Sequence, residues 1–323
     1  MKRTVTRVLS VCIVFFAIFT VISVWRVIQA TPHFPEPVAD SVDQLRIVLI
    51  TENQSTDFWK QVEEGAIQAG EKQGVLVEAW AGFGTEDQDF NRNLETAIYS
   101  KVDGILVQGQ DTEAFKELTK IKAAFYGVPI ITVGEDVPAE ESLRKTYVGS
   151  NQIEAASLLA ETMAEKMNYQ GEIVVVGDEQ PTYMQKQRLQ GVEQTLEAYP
   201  EITFTYQGMG DTKEEIMNAT MERLNQSPDA TSWLVLDSKV AYFVTQEIKR
   251  RTQVDPYLIY SFDEAPEVRS LLQAGVIDGM IRQRPQEMGE QGLNLLVQWI
   301  RGETVPLNSD GYPTPFVLEE AGL

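Results

Sequence analysis

From residue 45 onward, short apolar runs alternate with longer amphipathic stretches. The runs 46–51, 75–80, 104–107, 129–133, 172–176, 202–206, 233–236 and 257–262 have the length of strands. Several are apolar on both faces, as strands buried in a parallel sheet must be. Between them, apolar residues recur at every third or fourth position. In 58–74 Trp59, Val62, Ala66 and Ala69 form such a stripe, which predicts a helix with one buried face. The segments 89–100, 112–126, 153–167, 183–198, 213–226 and 238–251 read the same way. This alternation predicts right-handed βαβ units on parallel sheets. The pattern runs twice, once to about Tyr147 and again from about Gln170. One doubly wound domain rarely needs so many strands, so two similar α/β lobes are predicted. Ligands bind such sheets at the carboxyl ends of the strands, so two lobes facing each other there make a cleft.

The first 44 residues have another texture. Lys2, Arg3 and Arg7 are followed by 8–25, a stretch with no charge. As a helix it would span about 27 Å, near the hydrocarbon thickness of a bilayer. Residues 1–30 are therefore expected to form a signal anchor, a transmembrane helix with its basic end in the cytoplasm and all that follows outside. The alternative is cleavage after Ala30, which would place Ile28 where a small residue is preferred. Cys12 opens the apolar run and reads as a membrane-buried thiol. Residues 31–44, with Pro32, Pro35 and Pro37, read as a semi-extended linker.

Composition narrows the chemistry. The chain holds 323 residues with a single His, His33, and a single Cys. Neither lies in the body, which excludes Ser–His and Cys–His catalysis there, a Cys/His zinc site and an internal disulfide. Twenty-seven basic residues against 48 acidic ones give a net charge of −21, the wrong sign for a nucleic-acid partner. Gly82-Phe83-Gly84 and Gly208-Met209-Gly210 complete neither a dinucleotide nor a phosphate loop and read as turns. The acidic pairs lack the spacing of a calcium loop, and no cofactor or metal is expected.

The predicted strand ends carry the informative residues. Glu52 follows the first strand, and a polar loop then reaches Phe58 and Trp59 at a helix start that Ser55 or Thr56 caps. Gln108 follows 104–107, Glu135 and Asp136 follow 129–133, and Asp237 follows 233–236. Phe262 and Asp263 end 257–262, and Gln283 follows a further apolar run at 279–281. Planar polar groups bind neighbouring hydroxyls in pairs, while flat rings cover C–H faces, so together they suit a sugar.

The same residues carry a family resemblance. From Leu45 to Leu323 the chain resembles type I periplasmic binding proteins of the ribose-binding kind. The matching elements, in order, are Asp57-Phe58-Trp59 with Gly65, Asp103 to Val107, and Gly127 to Val133. Tyr147 to Asn151, Gln187-Arg188 with Gly191, and Asp237 with Ala241 follow, and Ser261-Phe262-Asp263 and Gln283-Arg284-Pro285 with Gly289 close the series. The resemblance implies Rossmann-like lobes joined by three crossings near 148–151, 281–285 and 310–314. The expected lobes are 45–148 with 284–312, and 149–283 with 313–323. It also implies that Phe58 and Trp59 pack on a sugar ring and that Gln108 offers a contact from the first lobe. Asp237, Asp263 and Gln283 would bind hydroxyls from the second lobe and hinge. Arg188 matches an arginine with a structural place. Two positions depart from the family: Gly134-Glu135 stands for an Asp-Arg pair, with Asp136 the nearest replacement carboxylate, and Lys186 stands for a ligand-contacting arginine. Lysine lacks the planar fork of arginine, which points away from ribose itself.

The function implied is a non-enzymatic extracytoplasmic binder of a sugar or polyol that serves an ABC permease. An anchored sensor signalling to a histidine kinase or chemoreceptor is the alternative. A carbohydrate-active enzyme using Asp237 and Asp263 is a third class.

Overall fold

The computed structural model describes residues 15, 17, 19–20, 44–52, 56–81, 87–251 and 257–322. The chain divides into two units, 1–44 and 45–323. In the first, Phe15, Ala17, Phe19 and Thr20 are helical, and the expected anchor and linker otherwise lie outside the described residues. No helix among the described residues is long and apolar enough to cross a membrane.

The body opens with β1 (Arg46–Thr51), α1 (Asp57–Gln73), β2 (Leu76–Ala81), α2 (Asp87–Tyr99) and β3 (Gly104–Val107). The next helix runs as α3 (Glu113–Glu117), a π-helical turn (Leu118–Ala123) and α4 (Ala124–Tyr126). β4 (Ile130–Val133), α5 (Ala139–Ser142) and β5 (Thr146–Gly149) follow. The second round comprises α6 (Gln152–Lys166), β6 (Gly171–Asp178), α7 (Tyr183–Leu196), β7 (Ile202–Met209), α8 (Lys213–Gln226) and β8 (Ser232–Val235). It continues through α9 (Ser238–Arg251), β9 (Leu258–Phe262), α10 (Pro266–Gln273) and β10 (Gly279–Gln283). α11 (Pro285–Ile300), β11 (Tyr312–Pro313) and β12 (Phe316–Glu320) complete the chain.

Two six-stranded sheets result, ordered β2-β1-β3-β4-β5-β11 and β7-β6-β8-β9-β10-β12. Each places its first strand between the second and third, so the same topological switch occurs in both. All pairings are parallel except β10 with β12. Ile47, Leu49, Val174 and Val176 show why the strands hold: with their neighbours on the other face they leave almost no surface in water, and apolar burial on both faces is what a covered parallel sheet needs. Threonine and asparagine start the helices: Thr56, Thr112, Asn151, Thr182 and Thr212 each accept a backbone N–H with the side chain.

The chain passes from the first sheet to the second at 150–151, returns at 284 and crosses again at 314–315. The last crossing falls at the end of the expected 310–314. After its return the chain forms α11, which lies against α1 and the first sheet. Met288, Leu293, Leu296 and Val297 join Leu49, Val62, Ala66 and Ile131 in one core. Two glycines set the spacing. A Cβ on Gly65 would lie 2.0 Å from the Gln286 carbonyl oxygen, and one on Gly289 would lie 1.9 Å from that of Val62. No larger residue fits at either point.

Candidate ligand-binding site

The carboxyl ends of both sheets face one cleft of about 1010 Å³. From the first sheet come Glu52 after β1, Gln110 and Asp111 after β3, and Gly134 to Asp136 after β4. From the second come Asp178 at the end of β6, Asp237 after β8, Asp263 after β9 and Gln283 ending β10. α1 adds Phe58 and Trp59, whose rings meet edge to face at 5.1 Å. Gly134 has φ 72, and its missing side chain leaves room for both rings, since a Cβ there would sit 3.1 Å from each. α9 supplies Lys239, Tyr242 and Phe243 opposite them. A second hollow of about 1200 Å³ lies beside the first and third crossings, lined by Tyr147, Ser150, Trp299 and Pro306. The strand ends converge on the first cavity, which is where ligands bind in such sheets.

Several charged side chains in the cleft are already held. Arg188 donates to Asp263 Oδ2 at 2.9 Å and to Gln152 Oε1 at 2.7 Å, and its guanidinium lies 4.2 Å from the Phe262 ring centre. Gln283 donates to the other Asp263 oxygen and faces Gln152 at 3.5 Å. A ring of hydrogen bonds thus ties the first crossing to the ends of β9 and β10. Asp136 accepts from Arg144 Nε at 2.6 Å and Nη2 at 2.5 Å, and from the Thr132 hydroxyl at 2.6 Å. Burial pushes its carboxyl up, against the pull of Arg144. Asp111 accepts from Lys116 at 2.8 Å and faces Lys186 of the other lobe at 3.9 Å.

The remaining charges face the water of the cleft. Gln108 accepts the Glu52 N–H at 2.9 Å and keeps that loop against β3. Glu135 is reachable by water yet ringed by protein, and this desolvation pushes its carboxyl up to about 7. The charges of Asp237 and Glu52 act in the same direction, while Gln108 and Lys239 oppose. Asp178 is raised by burial and then by Asp237, although Gln185 donates to it at 2.9 Å. The nearby Asp237 carboxylate raises the Lys239 ammonium. Among the described residues no cluster of His, Cys, Asp and Glu is placed to hold a metal ion.

The periplasmic binding protein domain matches residues 47–304. The chain belongs to that family. The D-apiose import binding protein of Actinobacillus succinogenes is 25% identical over 235 residues, covering 71% of this chain and 73% of its own. The ribose import binding protein of Salmonella typhimurium is 17% identical over 267 residues, covering 83% and 88%. Among solved structures, a glucose-galactose binding protein from Geobacillus stearothermophilus superposes with a TM-score of 0.78 at 24% identity, over 86% of this chain and 98% of that one. The expected two-lobed α/β fold of a type I binding protein is present. The family is one of binders, and this binding protein is not an enzyme.

Of the side chains expected in the site, Glu52, Phe58, Trp59, Asp136, Lys186, Asp237, Asp263 and Gln283 line the cleft of this binding protein. Gln108 and Phe262 do not. Gln108 stands behind Glu52 with 4% of its surface exposed, and Phe262 lies wholly within the second lobe's core under Arg188. Asp136 reaches the cleft wall, but Arg144 and Thr132 occupy its carboxylate. The cleft also contains Asp178, Lys239, Tyr242 and Phe243, which the sequence reading left out, and Glu135, which it placed at a strand end without counting it among the contacts. Strand-end position was the available signal for Asp178 and Lys239: Asp178 ends β6, two residues past the predicted run, and Lys239 follows Asp237 by two.

Proposed function

We propose that this protein captures a sugar or related polyhydroxylated small molecule outside the cytoplasm for an ABC-type permease. The observation that carries the reading is the convergence of strand ends from both sheets, with their carboxylates and amides, on one cleft walled by Phe58 and Trp59. Such groups pair with neighbouring hydroxyls while the rings cover the C–H face. Phe58, Trp59, Glu52, Asp237, Asp263 and Gln283 are the contacts in this reading, with Gln108 and Phe262 supporting them from behind. The names of the apiose, ribose and glucose-galactose binders support a sugar as the ligand class. A ligand touching both lobes favours the closed state by contacts the open state lacks, and the three crossings supply the hinge.

The uncharged run 8–25 behind Lys2, Arg3 and Arg7 supports a membrane-anchored form with the binding body outside. An anchored binder also suits sensing, with closure read by a membrane histidine kinase or chemoreceptor. Thermal unfolding of residues 31–323 against pentoses, hexoses and polyols tests the binding reading. Ligand at a hundred times its dissociation constant adds about 2.7 kcal/mol, a rise of several degrees. No rise with any sugar or polyol would overturn it.

A further inference from the structure

We infer that the cleft is built for a ligand bearing an ammonium group, an amino sugar or amino polyol, in preference to its neutral or acidic counterparts. The inference rests on the sugar-binding reading and narrows its ligand class.

It begins with the cations. Arg188 is held by Asp263, Arg144 by Asp136, and Lys186 faces Asp111. Among the described lining residues this leaves Lys239, which has no ion pair. Around it stand Glu52 and Glu135 from the first lobe and Asp178 and Asp237 from the second. Neutral partners hold three of these carboxylates: the Gln108 side-chain amide, at 3.5 Å, for Glu52, Gln185 for Asp178, and the Lys239 backbone N–H, at 2.7 Å, for Asp237. None of the four makes an ion pair among the described residues. Five facing groups therefore carry three negative charges more than positive ones when all are ionised, and two more when Glu135 is protonated.

In the open cleft, water screens this excess. Closure removes the water and brings the carboxylates of one lobe toward those of the other. Uncompensated charge in a dry site is costly. A neutral sugar brings no compensation, and an acidic sugar deepens the imbalance. An ammonium group supplies it at the point where the two acidic walls meet.

A second observation agrees. Phe58 and Trp59 on one wall and Tyr242 and Phe243 on the other put four aromatic rings around the same space. Ring faces attract a cation as well as sugar C–H groups. Rings from both lobes combined with unpaired carboxylates form an ammonium site that only a closed, liganded cleft completes.

The test is calorimetric titration of the full-length protein in detergent with matched sets: glucosamine, glucose, N-acetylglucosamine and glucuronate, and the galactose and mannose equivalents. At least one amine is expected to bind about tenfold tighter than its neutral parent, a difference of about 1.4 kcal/mol. N-acetylation, which removes the charge and adds an acetyl group, should abolish the preference, as deprotonation of the amine at high pH should. In Glu135→Gln and Asp237→Asn the ratio of amine to parent affinity should fall toward one. A neutral or acidic sugar that binds as tightly as its amine overturns the inference and leaves the sugar reading standing. Absence of binding by every member of every set also overturns the inference, and the pentose, hexose and polyol panel then decides the sugar reading by itself.

Discussion

Arg188 and Asp263 meet at 2.9 Å across the floor of the second lobe, with Asp263 in the left-handed region at φ 64. The pair holds a carboxylate at the cleft without surrendering it, since Arg188 and Gln283 occupy one site on each oxygen. Asn tolerates this backbone conformation, and Arg188 keeps Gln152 and the Leu236 carbonyl. Asp263→Asn is therefore expected to fold and to lose about ten- to a hundredfold in ligand affinity, as loss of a charged hydrogen bond does. Calorimetry and thermal unfolding of the same preparation check this. An unchanged affinity with a lowered melting temperature would make the residue purely structural.

Phe58 and Trp59 touch each other but have different duties. Trp59 is 7% exposed and packs into the first lobe's core, whereas Phe58 is only partly covered. Trp59→Ala should cost about 3–5 kcal/mol of stability. Phe58→Ala should cost mainly affinity, about 1–2 kcal/mol through lost ring contact. Denaturant unfolding with and without ligand separates the two, and equal effects would contradict the division.

The buried pair of Arg144 and Asp136 also pins the loop that leads into β11, because Arg144 Nη1 donates to the Ser309 carbonyl at 2.8 Å. Arg144→Leu strands a buried carboxylate and should destabilise the body by about 3–5 kcal/mol. Adding Asp136→Asn should recover a good part of that loss. If the double variant is no more stable than the single one, the loss comes from the Ser309 contact and not from the charge.

Glu135 titrates near neutrality, about 7, because it is desolvated in the folded protein. Its folded pKa exceeds its unfolded one, so the native state binds the extra proton between the two values. Stability therefore falls as pH rises from the ordinary carboxylate range through about 7 and levels off above it. Glu135→Gln should melt higher than the parent at pH 8 and at the same temperature at pH 4. Water in the cleft screens the group, which limits the gain to about 1 kcal/mol. A gain of equal size at both pH values would show that ionisation is not its source.

The close contact of α1 with α11 admits no side chain at Gly289. Gly289→Ala drives a methyl group into the Val62 carbonyl, and overpacking of this kind costs about 1–3 kcal/mol. Chemical denaturation measures it. Gly302→Ala makes a useful contrast: it meets no atom within 4 Å, and any loss there reflects its φ of 72 alone.

How much of this was legible follows from what local sequence can encode. Val, Ile and Leu in 46–51 and 172–176 announce strands covered on both faces, and Thr56 announces the helix after β1. α11 was hidden because Gly289 and Gly292 lie on its buried side, where a stripe of large apolar residues is the usual cue. The π-helical turn at Leu118–Ala123 has no period of its own to read. In the site, Glu135 and Asp136 look alike in the sequence. The fold sends one carboxylate into the cleft and gives the other to Arg144, eight residues on. Phe262 looked like a ring for a ligand because it ends a strand, yet the alternation of side chains along β9 buries it.

The return of α11 to the first lobe has a consequence for biosynthesis. The lobe made first lacks Met288, Leu293, Leu296 and Val297 until nearly the whole chain has been synthesised, so the core that α1 shares with the first sheet stays unfinished until then. A nascent chain that cannot finish its leading half remains an open thread, and a thread is the form in which a polypeptide passes through a membrane before it folds on the far side.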